Sequence, residues 1–235
     1  MQRGKFGRFD SVSLGGIAVF GALAVVLTTI SQGLGLNFPV VPYLQFDFGE
    51  VAILLAFFIF GPVPALVSSF IEFATLMAIG QNVAYFGPEL KLIAILSSLL
   101  GIWLGTVIVA RTGRSTIGRA VGLGTTLGMI LRAAIMTVPN YILIVFLFTV
   151  PGIVGFVAGG FKLIGVTLTA ENALVLVLGL TAFFNLLQLL LVSGVSFLLI
   201  RLPQVQATRA AGRAPWILSY TQRNSGPSVS RPASP

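Results

Sequence analysis

The sequence contains neither cysteine nor histidine. Disulfides, thiolate nucleophiles, imidazole general bases and the common transition-metal ligand sets are therefore excluded. Aspartate is nearly missing too, with Asp10 and Asp47 the only examples, so neither an intramembrane aspartate dyad nor a Ser-His pair can be assembled. None of the lysines (Lys5, Lys91, Lys162) stands in a Gly-x-x-x-x-Gly-Lys-Ser/Thr loop, so nothing cradles nucleotide phosphates. No catalytic residue, metal site or cofactor is expected, and any ATP-driven cycle requires another subunit.

Charge is equally scarce. Only 9% of the 235 residues are charged against 56% hydrophobic, and the mean hydropathy of +1.02 exceeds what a water-soluble domain sustains. Lipid is the expected solvent. The net charge of +8 does not point to nucleic acid, because the cations are neither dense nor interleaved with aromatics. Met1 to Asp10 is polar and the apolar run after it lacks a convincing cleavage site, so that run reads as a first span rather than a signal peptide.

A helix needs about 20 apolar residues to cross a bilayer. Candidate spans lie near residues 12–31, 49–61, 63–80, 90–110, 119–148 and 172–200. The fold class expected is an all-α integral membrane protein, a six-helix transmembrane bundle. Gly61-Pro62-Val63-Pro64 divides the apolar run from Val51 to Gly80 into two spans. Pro139 predicts a kink in span five, and Thr149 to Glu171 reads as a Gly-rich outer loop. Residues 1–202 form the expected membrane domain. Residues 203–235, rich in Pro, Ser, Gly and Arg, are expected to be a disordered cytoplasmic tail.

Cations set the orientation. Arg3, Lys5 and Arg8 precede span one, Arg111, Arg114 and Arg119 separate spans four and five, and Arg201, Arg209, Arg213, Arg223 and Arg231 follow span six. That side is expected to be cytoplasmic, with both termini on it. Only Lys91 and Lys162 fall toward the opposite surface, and Arg132 lies inside span five.

Charges at membrane depth are costly and usually face a protein interior. Glu72 and Arg132 both fall near mid-membrane, and they are expected either to pair across spans three and five or to face a cavity floor together. The alternative is an ion pair that only fixes helix packing. Asn185 and Gln188 share a face of span six, and Asn140 follows the proline of span five. These amides either hydrogen-bond a neutral polar ligand or hold helices together. The segment from Ser31 to Phe48 carries Asn37-Phe38-Pro39-Val40-Val41-Pro42-Tyr43-Leu44-Gln45-Phe46-Asp47-Phe48, a set that can cover an aromatic ligand or anchor an interfacial loop. On span one, Gly15, Ala18 and Ala22 form a small-residue stripe that permits close helix approach.

With these residues assembled, the chain resembles an S component, the substrate-binding subunit, of the energy-coupling-factor (ECF) transporters, and is most similar to riboflavin-specific members. The resemblance runs from about Gly15 to Leu202. It rests on Ala22-Leu23-Ala24-Val25-Val26-Leu27, Pro42-Tyr43-Leu44-Gln45-Phe46-Asp47, Gly61-Pro62, Asn140-Tyr141 and Phe184-Asn185-Leu186-Leu187. It implies a plasma-membrane subunit, not an enzyme, that binds a vitamin in its outer half and works with a transmembrane coupling protein and two cytoplasmic ATPases. By the same resemblance Ala18 and Ala22 dock the coupling protein. Tyr43, Leu44, Phe46 and Asp47 belong to a lid, and Asn140, Asn185 and Gln188 contact the ligand; Glu72 joins the substrate-binding candidates as a charge at membrane depth.

The chain departs from the riboflavin pattern at three places. Gln188 follows Phe-Asn-Leu-Leu where a lysine is usual, Glu72 occupies span three, and Asp-x-x-Asp is replaced by Asp47-Phe48-Gly49-Glu50. Riboflavin is a neutral aromatic plate with a hydroxylated chain, and aromatic walls with neutral hydrogen-bonding groups suit it. A thiamine-like cation would instead use Glu72, Asp47 or Glu50. A stand-alone channel or secondary transporter is the reading from a different class; no convincing internal repeat accompanies it.

Overall fold

A computed structural model describes residues 10–80, 87–112, 116–202 and 214–223. The described chain is helical, with one isolated bridge, Asn37 to Gln45, as its only β-type pairing. The helices are α1 (Ser11–Gly33), α2 (Gly49–Phe60), α3 (Pro62–Ala78), α4 (Gly87–Arg111), α5 (Ile117–Ile142), α6 (Val150–Leu163), α7 (Ala173–Ile200) and α8 (Trp216–Arg223). Among the described residues, four segments are long and apolar enough to cross a membrane: α1, α4, α7, and α5 with its continuation to Phe146. Large side chains such as Val19, Val26, Phe146, Val175 and Leu198 face outward, a surface suited to lipid rather than water.

Local chemistry sets the boundaries. The carboxylate of Asp10 caps α1 by accepting from the Ser13 amide at 2.9 Å and the Ser13 hydroxyl at 2.8 Å. Gly61 ends α2 and starts α3 at φ 112°, a conformation closed to residues with a Cβ, and Pro62 then occupies the first helical position, where no amide donor is needed. Pro139 does not stop α5. It removes one amide donor from the ladder, and the chain widens into a π-helical stretch over Leu143–Phe148.

The centre of the bundle is α2. Val51, Ala52, Ile53, Leu54, Ala56, Phe57 and Phe58 are all buried in one cluster with residues of α4, α5 and α7. Alongside, α4 and α5 pack almost backbone to backbone: a Cβ on Gly101 would strike the backbone of Gly128, and one on Gly105 that of Gly124. These glycines do what small residues do at helix interfaces in lipid, admitting dispersion contact along the whole seam.

Two expectations are corrected. Thr149 to Glu171 is not simply a loop, because α6 fills its first part. The glycines there mask an apolar stripe, Ile153, Val157 and Phe161, which buries against Val40, Val41, Ile144 and Val177, and Pro151 sits in the first turn, where proline is tolerated. The tail is not structureless throughout. Between 203 and 235 the described residues include α8, whose Trp216 and Ile217 enter the central cluster; two adjacent large apolar side chains outweigh the polar composition around them. Residues 203–213 and 224–235 lie outside the described residues, as do Arg3, Lys5, Arg8 and Arg114.

The α4–α5 seam makes a stability prediction. Gly101→Val should lower stability by about 1–3 kcal/mol through overpacking, while Gly122→Ala, whose Cβ meets nothing, should stay within about 0.5 kcal/mol of the parent. Thermal unfolding in detergent measures both, and equal melting of the two variants would contradict the close approach.

Candidate functional site

The α1–α2 connection, residues 34–48, folds into a compact irregular hairpin. Phe38 donates its amide to the Leu44 carbonyl at 2.7 Å, and Phe46 donates to Leu36 at 2.8 Å. Its first half is anchored, since Val40 and Val41 are buried beneath α6 and the backbone of Gly160 lies so close to the Val40 and Pro39 carbonyls that a Cβ there would collide with both. Its second half returns over the bundle. Beneath it lies a cavity of about 180 Å³ walled by the loop, the starts of α2 and α4, and the facing sides of α5 and α7.

Two ionic groups border this cavity. Asp47, two residues before α2, accepts the Gly49 amide at 2.7 Å and pairs with the Lys91 ammonium at 2.5 Å. Lys91 reaches across to Glu72 of α3 at 2.6 Å and also donates to the Thr28 hydroxyl. That hydroxyl lies 2.9 Å from both carboxylates, so one residue of α1 ties α3, α4 and the loop together. Gly49 is what admits this arrangement: a Cβ there would meet Thr28, the Ala24 carbonyl and Glu72.

The second group is built on Arg132 of α5. Its guanidinium grips the Glu50 carboxylate in a fork at 2.5 and 2.8 Å, and donates from Nε to Asn185 Oδ1 at 2.9 Å and from Nη1 to Ser98 at 3.3 Å. Glu50, Arg132 and Asn185 are all buried. A bidentate, fully hydrogen-bonded pair is the form in which such charges are retained away from water. Both carboxylates at the head of α2, Asp47 and Glu50, also sit where the helix N-terminus favours negative charge.

The pairing expected between Glu72 and Arg132 is therefore not formed. Each has a nearer partner, Lys91 for Glu72 and Glu50 for Arg132, and α3 packs chiefly on α1, α2 and α4. Lys91 is not a membrane-surface cation either: only 13% of its side chain is exposed. Sequence reasoning overlooked Lys91 and Thr28 as the partners shared by Asp47 and Glu72, and Glu50 as the partner of Arg132. The available signal was the excess of buried carboxylates over Arg132, which required a second cation at similar depth.

Of the residues singled out from sequence, Tyr43, Leu44, Asp47, Asn140 and Asn185 line the cavity; Phe46, Glu72 and Gln188 do not. Asn140 donates its amide to the Met136 carbonyl at 2.7 Å, which leaves its oxygen for the cavity. Asn185 donates to the Thr181 carbonyl at 2.9 Å and accepts from Arg132, so it braces the guanidinium. Gln188 donates to the Asp47 carbonyl at 2.7 Å and thus holds the end of the loop. Phe46 packs on Phe184 at a ring distance of 5.0 Å, and Phe184, missed as an individual residue, forms the aromatic wall. The Tyr43 hydroxyl lies 3.2 Å from that of Thr181. Burial pushes its pKa above the usual phenol value, partly offset by that hydrogen bond, so it remains a neutral group at physiological pH.

Ala18 and Ala22 lie exposed on the outward face of α1, whereas Ile17, Gly21, Ala24, Thr28 and Ser31 face inward. Gly15 on the same outward stripe has nothing within 4 Å of its Cβ position. The stripe of Gly15, Ala18 and Ala22 is therefore left exposed among the described residues. In comparisons with known proteins, no family model, curated protein or solved structure matches.

Removing one member of the Glu50–Arg132 pair strands the other in the interior. Glu50→Leu or Arg132→Met alone should destabilise by about 3–5 kcal/mol, and the double variant should lose clearly less than the sum. A double-variant cycle by thermal or denaturant unfolding in detergent tests this, and additive losses would rule out the coupling.

Proposed function

We propose that the chain is the membrane-embedded substrate-binding subunit of an ATP-driven vitamin importer of the ECF type, with riboflavin as its ligand, and that it is not an enzyme. The observation that carries this reading is the cavity beneath the α1–α2 loop, whose wall combines Phe184, Tyr43, Leu44 and Met136 with the open amide oxygen of Asn140. An aromatic, uncharged ligand is matched by such a lining.

In this reading α1, α2, α3, α4, α5 and α7 are six passages through the plasma membrane, with both termini cytoplasmic. The 12 residues of α2 extend only ~18 Å against a hydrocarbon core of about 30 Å. Burial on all sides within the bundle removes the need for α2 to match the lipid thickness. The cations Arg111, Arg119 and Arg201 lie at the end remote from the cavity, in keeping with a cavity that opens outward. Ala18 and Ala22, exposed on α1, form the face offered to a transmembrane coupling protein, and two cytoplasmic ATPases supply the energy that this chain has no loop to harvest.

At about 180 Å³ the cavity is smaller than the roughly 300–1,000 Å³ usual for ligands of vitamin size. Binding therefore requires the end of the loop, residues 45–48, to move outward, and the Asp47–Lys91 pair, the Gln188 hydrogen bond and the packing of Phe46 on Phe184 hold it down. A second reading has its own support. Asp47, Glu50 and Glu72 outnumber Lys91 and Arg132 around the site, which favours a thiamine-like cation. A channel or secondary transporter has no comparable observation behind it.

Purified protein should carry or acquire a flavin, seen as yellow colour or as quenching of added riboflavin fluorescence. Asn140→Ala should weaken that binding by about tenfold, the loss of one buried hydrogen bond. A thermal-shift panel of riboflavin, thiamine, biotin, pantothenate and folate decides among ligands: stabilisation by thiamine alone would replace the flavin reading, and no response to any would overturn both.

A further inference from the structure

The cluster at the end of the bundle remote from the cavity contains a segment from outside the seven preceding helices. α8 lays Trp216 and Ile217 against α2, α4 and α5, with 2% and 0% of their surfaces exposed. The Trp216 ring meets Phe57 of α2 edge to face at 5.4 Å and stacks on Tyr220 at 5.0 Å. Thr221, one turn on, is 1% exposed and returns its hydroxyl to the Ile217 carbonyl at 2.8 Å.

Three properties bear on how firmly this contact holds. α8 has 8 residues, and a helix so short is not stable unless something holds it, so its order comes from the cleft it occupies. The connection back to α7 runs through residues 203–213, long enough to let it leave without moving Ile200. The indole Nε1 of Trp216 is buried with no acceptor among the described residues, a donor that water would satisfy on release. The groups that α8 packs on, Phe57 of α2 and the neighbouring parts of α4 and α5, belong to long or central helices fixed by other contacts.

We propose that α8 is a releasable plug. It leaves its cleft in a local opening while α1–α7 remain folded, and while seated it blocks an apolar surface, centred on Phe57, at the end of the bundle opposite the cavity. Seating and release switch that surface between covered and available. The inference concerns the far end of the molecule and is independent of which ligand the cavity takes.

The absence of native cysteine allows a direct test. In an otherwise unchanged full chain, Thr221→Cys reports α8 and Ser196→Cys reports α7, where Ser196 is 0% exposed. N-ethylmaleimide labelling in detergent, below the melting temperature, should modify Thr221→Cys roughly tenfold or more faster than Ser196→Cys, because local opening precedes global unfolding. Equal rates would mean that α8 opens only when the whole protein unfolds, and would overturn the proposal. Adding Trp216→Ala should raise the Thr221→Cys rate further while leaving the Ser196→Cys rate and the melting of the bundle unchanged. If Trp216→Ala instead accelerates both cysteines together, α8 is an integral part of the core and not a plug.

Discussion

The structure depends on how a chain with so few charges places five of them inside. Asp47, Glu50, Glu72, Lys91 and Arg132 converge on the head of α2, and each has an opposite charge within 2.8 Å. An unpaired ion at that depth costs several kcal/mol, more than most single packing contacts return. The pairs therefore constrain which helices can be neighbours. Glu50 fixes α2 to α5, and Lys91 fixes α4 to α3 and, through Asp47, to the loop. The aliphatic contacts of α2 are then free to be generic, since position has been set by geometry that only fork-like and point-charge partners satisfy.

This division explains what the sequence disclosed. Helix positions were legible because lipid demands long apolar runs, and α1, α4, α5 and α7 have them in unmistakable form. The break at Gly61-Pro62 was legible because proline and a positive φ leave few alternatives. α6 was hidden by its glycines, which lower helix propensity without preventing tertiary burial of Ile153, Val157 and Phe161. α8 was hidden because composition over a whole tail says nothing about a single Trp-Ile pair inserted in a cleft.

The site was legible by residue type but not by partnership. Asn140, Asn185, Tyr43 and Asp47 do meet at one cavity, as intramembrane polarity and loop composition suggested. Which charge pairs with which depends on the lateral order of helices, a property that depth along the membrane normal does not encode. Residue counting puts Glu72 and Arg132 at similar depth, but α3 packs chiefly on α1, α2 and α4, and depth alone pointed to the wrong couple. Gln188 shares a face with Asn185, as the spacing required, but one turn along that face it meets the Asp47 carbonyl instead of the cavity.

The loop over the cavity is fastened unequally along its length. Its residues up to Leu44 belong to the α6 core, with Val40 and Val41 wedged beside the near-touching Gly160 backbone and Tyr43 and Leu44 packed on the same cluster, whereas Asp47 hangs on a handful of polar bonds to Lys91, Thr28 and Gln188, with Phe46 resting on Phe184 between them. Dispersion contacts of the first kind resist separation in every direction; the second kind exchange readily with water or with the polar edge of an incoming molecule. Any outward swing that spares the α6 core must therefore pivot beyond Leu44, like a flap hinged along one margin, and the mouth it uncovers faces the start of α4, at Gly87 and Pro88.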